Sequence, residues 1–536
     1  MGRYLKEHPL AALFALVAAC ALPMMILRDP SPSNELRYLS IVDEALREGH
    51  FFCFYNQGGI YTDKPPLFFW IMMLSRLFCG PWSMWLPTLL TALIPSLVTV
   101  AVMDRWLMLS CTEERRPTAA MRLACASVAL ASALMMIQTF FLRMDVLMTM
   151  FIVLALFTFY KMYSGRGTRP RDKWLLPLYI FLALFTKGPV GFFAPVVAIV
   201  VFLALEHQLR RIGEFLGWRQ WALMLALFGL WILGAWLEGG KVYIDSLLFH
   251  QTMDRAVNAF THKHPFWYYI PVMLYASLPY TLLLIPAVIS LYFRRSGGDK
   301  SSKLMLTTIA ATFIMLSAFS GKLAIYLTPI IPLMAYLLPL YGERCGGRWE
   351  KWALIAVQGI FALTGAAILL MACGLCPALG SRLTAAVPYI FCPTIIAIAA
   401  TLLAGSLAAI AVTAKAGWQK GCTAVCAAMF LAVFAAGISI EPLNEWTAYE
   451  KVCLAAREEG PQTYNTLMVH RPENMDVYLG CDITDYGWDA DKFVSGSHCG
   501  EILITDTARA AESAPLQEYL QGRQCRRVGP FSIYRL

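Results

Sequence analysis

Charge is what this 536-residue sequence has least of: Asp, Glu, Lys and Arg make up 15%, against roughly 25% in a soluble globular chain. With 58% hydrophobic residues and a mean hydropathy of +0.57, that scarcity excludes an ordinary soluble protein. No small-residue cleavage site follows the first apolar stretch, Pro9 to Leu27; Arg28-Asp29-Pro30 comes instead, so the stretch reads as a retained first span. The Cys373-Gly-Leu-Cys376 pair has no second CxxC and no nearby His, which argues against a zinc ribbon or redox centre. No internal repeat of the transporter kind is visible along the chain. A net charge of +9 would point to nucleic acid in a soluble protein, but here its distribution reports topology.

What is present is a succession of apolar runs long enough to cross a hydrocarbon layer of about 30 Å. They predict an all-α polytopic membrane domain of about thirteen spans, near residues 9–27, 83–104, 119–139, 145–162, 174–187, 190–206, 220–237, 269–293, 304–320, 322–341, 352–372, 386–413 and 421–438. Alternate loops carry most of the basic residues, among them Arg115-Arg116, Arg169, Arg171, Lys173, Arg210-Arg211, Arg294-Arg295 and Lys415. The positive-inside bias then puts the N-terminus in the cytoplasm. This requires Pro65 to Cys79, apolar but short, to lie in the interface rather than cross. An odd span count places the C-terminal end outside.

Residues 1–440 therefore read as the membrane domain and 441–536 as a small α/β domain. In the latter the pattern predicts helices at Ala448–Glu458 and Leu516–Gln521 and strands near Tyr464–Val469, Ile502–Thr505 and Ser532–Arg535. It holds no catalytic signature, and its role is scaffold or acceptor contact. Its four cysteines, Cys453, Cys481, Cys499 and Cys525, are an even set in an oxidising compartment, compatible with two disulfides.

Charged groups at membrane depth are costly and call for a reason. Here they cluster on the outer side: Asn34-Glu35-Leu-Arg37-Tyr38, Asp63-Lys64-Pro65, Arg143-Met-Asp145, Thr186-Lys187-Gly188, Asp254-Arg255, His262-Lys263-His264 and Ser320-Gly321-Lys322. Singly, Lys187 or Lys322 reads as a snorkelling lysine, Glu35 with Arg37 as a helix first turn capped by Ser33 or Asn34, and His262 as an interfacial residue near an aromatic belt. Jointly, a one-sided set of lysines makes an anion site suited to a lipid phosphate. Carboxylates facing it can hold a metal, orient a sugar or act as a base.

These motifs, with Phe185-Thr-Lys187-Gly188, His262-Lys263-His264-Pro265-Phe266-Trp267 and Ser320-Gly-Lys322-Leu-Ala-Ile-Tyr326, give the chain a resemblance over roughly residues 10–340. It resembles the bacterial lipid A aminoarabinose transferases, C-type integral-membrane glycosyltransferases related to protein O-mannosyltransferases. The resemblance implies a sugar taken from undecaprenyl phosphate and transferred to lipid A or another envelope glycan on the periplasmic side. By the same resemblance Lys64 would contact the lipid phosphate, Asp63 with His262 would sit at a divalent metal such as zinc, and Asp145 would line the cavity. Lys187 and Lys322 would hold phosphates, with Arg37, Tyr38, Arg255, Lys263 and Tyr326 as further substrate contacts.

One position departs from the family pattern: Asn34 stands where an Asp usually does. A phosphate acceptor is already an anionic nucleophile and needs positioning, whereas a hydroxyl acceptor needs a base, for which Glu35, Asp63 and Asp145 are candidates. The Asn favours a phosphate acceptor. The rivals are a protein O-mannosyltransferase and, from another class, a lipid-linked sugar flippase.

Overall fold

A computed structural model describes residues 9–80, 83–250, 263–293, 299–342, 347–460, 463–481 and 483–536. Eight of its helices are long and apolar enough to cross a membrane. They are α1 (Pro9–Leu27), α4 (Trp85–Ser110), α7 (Met144–Ser164), α10 (Trp218–Asp245, continuing to Leu248), α13 (Lys300–Ala318), α16 (Arg348–Ala372), α18 (Pro393–Ala416) and α19 (Trp418–Ile438). Five further helical tracts complete the predicted set. Two are single helices, α8 (Asp172–Lys187) and α9 (Pro189–Leu205). The others are broken: α5 (Ala119–Ala131) from α6 (Ala133–Gln138), α11 (Tyr269–Ala276) from α12 (Thr281–Phe293), and a 3-10 turn (Ala324–Leu327) from α14 (Ile330–Ala335) and α15 (Leu338–Gly342). A short α17 (Pro377–Ala386) lies between α16 and α18.

Two helices of the first loop do not cross. α2 (Glu35–Glu48) and α3 (Leu67–Cys79) lay their apolar faces against each other and against the C-terminal residues. Leu36, Tyr38, Phe68, Phe69 and Met72 share one buried cluster with Val452, Cys453, Tyr478, Ile504 and Ile533. A segment whose apolar face is covered this way is on the side of the C-terminal residues, so Pro65–Cys79 is no span. Leu74, Leu77 and Phe78 on its other face stay exposed, as an interfacial helix requires.

The first loop also holds a two-stranded hairpin of β1 (Tyr55–Asn56) and β2 (Gly59–Ile60). The C-terminal segment begins with α20 (Glu441–Thr447) and α21 (Glu450–Glu458) and builds a five-stranded sheet in the order β4-β3-β5-β7-β6. β3 (Tyr464–Leu467) pairs in parallel with β4 (Ile483–Asp485) and β5 (Ile502–Asp506), and β7 (Phe531–Arg535) pairs antiparallel with β5 and β6 (Cys525–Val528). Helices α22 (Ala490–Val494), α23 (Thr507–Glu512) and α24 (Ala514–Leu520) complete it. Three of its cysteines are free thiols, Cys453 buried and Cys499 and Cys525 exposed, which corrects the expectation of two disulfides. Cys453 cannot reach a partner because it lies inside the cluster shared with α2 and α3.

The two ends of the bundle differ in their chemistry. At the end away from the C-terminal sheet, ion pairs join neighbouring helices: Arg122 to Asp104 at 2.6 Å, Lys161 to Asp172 at 2.8 Å and Lys303 to Glu206 at 2.9 Å. The end under the sheet carries the buried and half-buried charges described next.

Candidate active site

The site is built where α7 starts and α8 ends. Asp145 occupies the first turn of α7 and Lys187 the last residue of α8, which suits each charge to its end of the helix dipole. Antiparallel packing of the two helices brings these ends together, and the two side chains form a buried ion pair. The Tyr326 ring closes over the Lys187 ammonium at 4.5 Å from the ring centroid, a cation–π contact in a desolvated setting. Lys64 and Arg143 lie close enough to act on the same charge.

Beside this group, Tyr38 is buried against Phe68 and Phe69. Burial pushes its phenol up, and Arg143 and Arg37 pull the other way while Asp63 adds to the rise. The half-buried Arg37 stands between the rings of Tyr38 and Tyr61, 5.8 Å from each centroid, and donates to the Asn34 side-chain oxygen at 3.3 Å. Arg37, Tyr38, Asp63, Lys64, Arg143, Asp145, Lys187 and Tyr326 thus form one neighbourhood in which cations outnumber carboxylates.

Asn34 sits at the N-cap of α2 but makes no side-chain cap. Glu35 next to it is fully buried. Its two oxygens take a bidentate pair from Arg28 at 2.7 and 2.8 Å, the Ser31 amide at 2.8 Å and the Leu142 amide at 2.6 Å. Burial alone would raise this carboxyl, but the Arg28 charge and these hydrogen bonds outweigh it and hold the group below the usual carboxylate range. Arg28 in turn lies over the Phe141 ring at 4.0 Å. Through Leu142, Glu35 ties the end of α1 and the start of α2 to the strand of chain that delivers Arg143 and Asp145.

Lys322 is nearly buried, with its ammonium donating to the main-chain carbonyls of His264, at 3.0 Å, and of Phe319. Its segment is clamped to the loop by the bridge between Lys263 and Gly321. Lys263 itself is exposed, and the His264 ring stacks on Tyr268 at 4.2 Å. Arg255 and His262 lie outside the described residues. Of the expected metal pair Asp63 is the described member, and among the described residues no three His, Cys, Asp or Glu side chains converge on one point.

Three contributors had no signal that single motifs could supply. Arg28, seven residues before Glu35, reads in the sequence as a charge flanking a span. Arg143, present in the Arg-Met-Asp motif, stood in the shadow of Asp145. Glu238, on α10, accepts the amides of Phe51, Phe52 and Cys53 at 3.0, 3.1 and 2.9 Å and so pins the first loop to the bundle. Its neighbour Gly239 has no room for a side chain, since a Cβ there would lie 2.5 Å from the Cys53 sulfur.

No family model matches the chain. The undecaprenyl phosphate-alpha-4-amino-4-deoxy-L-arabinose arabinosyl transferase of Erwinia tasmaniensis is 26% identical over 354 residues, 65% of this chain and 62% of that protein. The Serratia proteamaculans protein of the same name is 27% identical, over 66% and 62% of the two chains. One from Sodalis glossinidius reaches 32% over a shorter stretch, 40% and 38%. The chain thus spans a little under two thirds of the length of the curated relatives it matches first. Among solved structures, that of ArnT from Cupriavidus metallidurans bound to undecaprenyl phosphate superposes with a TM-score of 0.74 at 16% identity, covering 98% of this chain and 97% of that one. The apo form gives 0.70. In sequence and over its whole described length in fold, this chain therefore resembles the aminoarabinose transferases, as its motifs led us to expect.

Proposed function

We infer that the protein is a glycosyltransferase of the bacterial inner membrane that takes a sugar from undecaprenyl phosphate and passes it to a phosphate of lipid A. Its N-terminus lies in the cytoplasm and its reaction on the periplasmic side. The observation that carries this reading is the cation-rich neighbourhood of Lys64, Arg143 and Lys187 at helix ends under the C-terminal sheet. An amphiphile whose tail lies in the bilayer would meet it with its phosphate. The names of the relatives support the same donor.

In this reading Lys64 and Arg143 hold the donor phosphate, and Lys187, fixed by Asp145 and Tyr326, adds charge without moving. During transfer the bond from the sugar's anomeric carbon to the donor phosphate oxygen breaks, both electrons leaving with the phosphate. An oxygen of the acceptor phosphate forms the new bond to that carbon. No proton has to be removed from an acceptor already ionised at neutral pH. The cations serve by stabilising the charge that grows on the leaving phosphate. Asp63 with His262 is the pair that would hold a divalent ion such as zinc, whose charge would act on the same phosphate.

The environments of the carboxylates favour the phosphate acceptor over a protein hydroxyl. Glu35 is neutralised by Arg28 and Asp145 by Lys187, and the Asn34 amide has no basic site to take a proton at neutral pH. Two of the three candidate bases are thus matched by cations. We assign Glu35 the role of a strut.

The test is binding of undecaprenyl phosphate to the purified protein, followed by tryptophan fluorescence or native mass spectrometry. Lys64→Ala and Arg143→Ala should each weaken it by roughly ten-fold, as expected for loss of one charge-assisted contact. Unchanged affinity in both would remove these cations from the donor site.

A further inference from the structure

At the end of the bundle away from the C-terminal sheet, α8 and α10 begin side by side and leave between them a groove of about 630 Å³. Lys173 and Arg219 line it together with Trp174, Trp218 and Gln220. Three features of the groove suit an anion. α10 starts there, with Gly217 as an N-cap that offers no side chain, so its first amides face the groove uncapped; a long helix presents partial positive charge at such an end. Lys173 and Arg219 make no ion pair among the described residues, and Arg219 lies over the Trp218 ring at 5.5 Å from its centroid. Gln220 is 9% exposed, lines the groove, and its side-chain amide makes no hydrogen bond among the described residues.

The single acid in the wall, Glu214, is held by the Arg211 guanidinium at 2.9 to 3.2 Å and does not oppose an incoming anion. Shape then selects the kind of anion. From the groove an apolar stripe runs down the outside of α10, with Trp218, Trp221 and Leu225 all exposed at helical spacings of three and four, which puts them on one face. Indoles beside basic residues mark the level of lipid headgroups.

We propose that this groove binds the phosphate headgroup of an anionic phospholipid from the leaflet opposite the reaction site, with its acyl chains along the α10 stripe. The lipid bridges the start of α8 and the start of α10. α8 is the helix that ends in Lys187, so the bound lipid holds the far end of the element that carries one of the site's cations.

The experiment is native mass spectrometry of the full-length protein in detergent, titrated with phosphatidylglycerol and in parallel with phosphatidylcholine. The wild type retains phosphatidylglycerol in preference, and K173A/R219A loses affinity for it by roughly thirty-fold, as expected for two phosphate-facing cations. R219A alone loses roughly five-fold, and carries the same readout if the double variant is not recovered. Lys64→Ala, at the other face, leaves this binding unchanged, which separates the groove from the donor site. Equal retention of the two lipids, or unchanged affinity in the variants, overturns the proposal. Displacement of the lipid by millimolar inorganic phosphate also overturns it, since that marks a site for a soluble anion.

Discussion

Glu35 shows how much one side chain can settle. A fully buried carboxylate that takes four donors has no lone pair left for a substrate proton, and its partners belong to two separate stretches of chain, residues 28–31 and Leu142. Removing its charge would leave Arg28 buried and unpaired, which costs about 3–5 kcal/mol. Glu35→Gln is expected to lower thermal stability by that order, and Glu35→Leu with Arg28→Met to recover much of it; equal losses in both would deny the ion pair its structural weight. The pH dependence follows from the sign of the shift. The folded value lies below the usual 4.5, so this group's contribution is complete above that value and is lost as pH falls through the lower folded one. Unfolding midpoints measured from pH 6 downward should show an acid step in the wild type that Glu35→Gln lacks. The partner of Glu35 was not legible from the motif, because Arg28 lies outside α2 and no helical spacing links the two. The Asp145–Lys187 pair was legible only as two charges on one face, since their meeting depends on how α7 and α8 pack.

The element that joins the membrane helices to the C-terminal sheet is the first loop. Phe69 on α3 is fully buried among the rings of Tyr38, Phe54, Tyr61 and Phe68, and Phe69→Ala is expected to cost about 3–5 kcal/mol. Limited proteolysis checks this, with cleavage near residue 440 rising in the variant and unchanged cleavage contradicting the shared core. Hydrogen bonds run along the same seam. Asn444 holds Asp29 through both backbone and side chain, Ser40 donates to Asp476 at 3.0 Å, and Asn474 donates to the Pro32 carbonyl. Burial first, then Glu450 and Glu441, push Asp29 up to about 7 from 3.8. For a raised carboxyl, stability is fullest below 3.8 and falls as pH rises through about 7. Asp29→Asn should therefore flatten the decline in unfolding midpoint between pH 4 and 7; an unaltered slope would mean that Asp29 does not govern it. Element boundaries were read well where apolar runs were continuous, as in α1, α7 and α19. The breaks at Ser277–Tyr280 and around Pro329 were not seen, because a hydropathy average passes over a turn inside an apolar tract. The short strands β4 and β6 escaped as well, being largely exposed and lacking an apolar alternation.

For the whole molecule, a count of basic residues and a count of spans led to a topology that the structure fills with helices at every predicted tract. The sidedness itself has a direct check. A membrane-impermeant thiol reagent added to spheroplasts should label the exposed Cys499 and Cys525 and spare a cysteine placed at Lys415; the opposite pattern would invert the protein and put the cation cluster in the cytoplasm. What the sequence supplied in advance was the class of chemistry, through lysines and carboxylates gathered on one side. What it could not supply was which carboxylates are already matched by cations, as Glu35 is by Arg28 and Asp145 by Lys187, a distinction that supports the phosphate acceptor Asn34 already favoured. The most direct measurement incubates purified protein with undecaprenyl-phosphate aminoarabinose and lipid A and follows the products by mass spectrometry. The account predicts one aminosugar added to a lipid A phosphate, lost in Lys64→Ala and Asp145→Asn. Movement of the donor lipid across the membrane with no sugar transferred would contradict it.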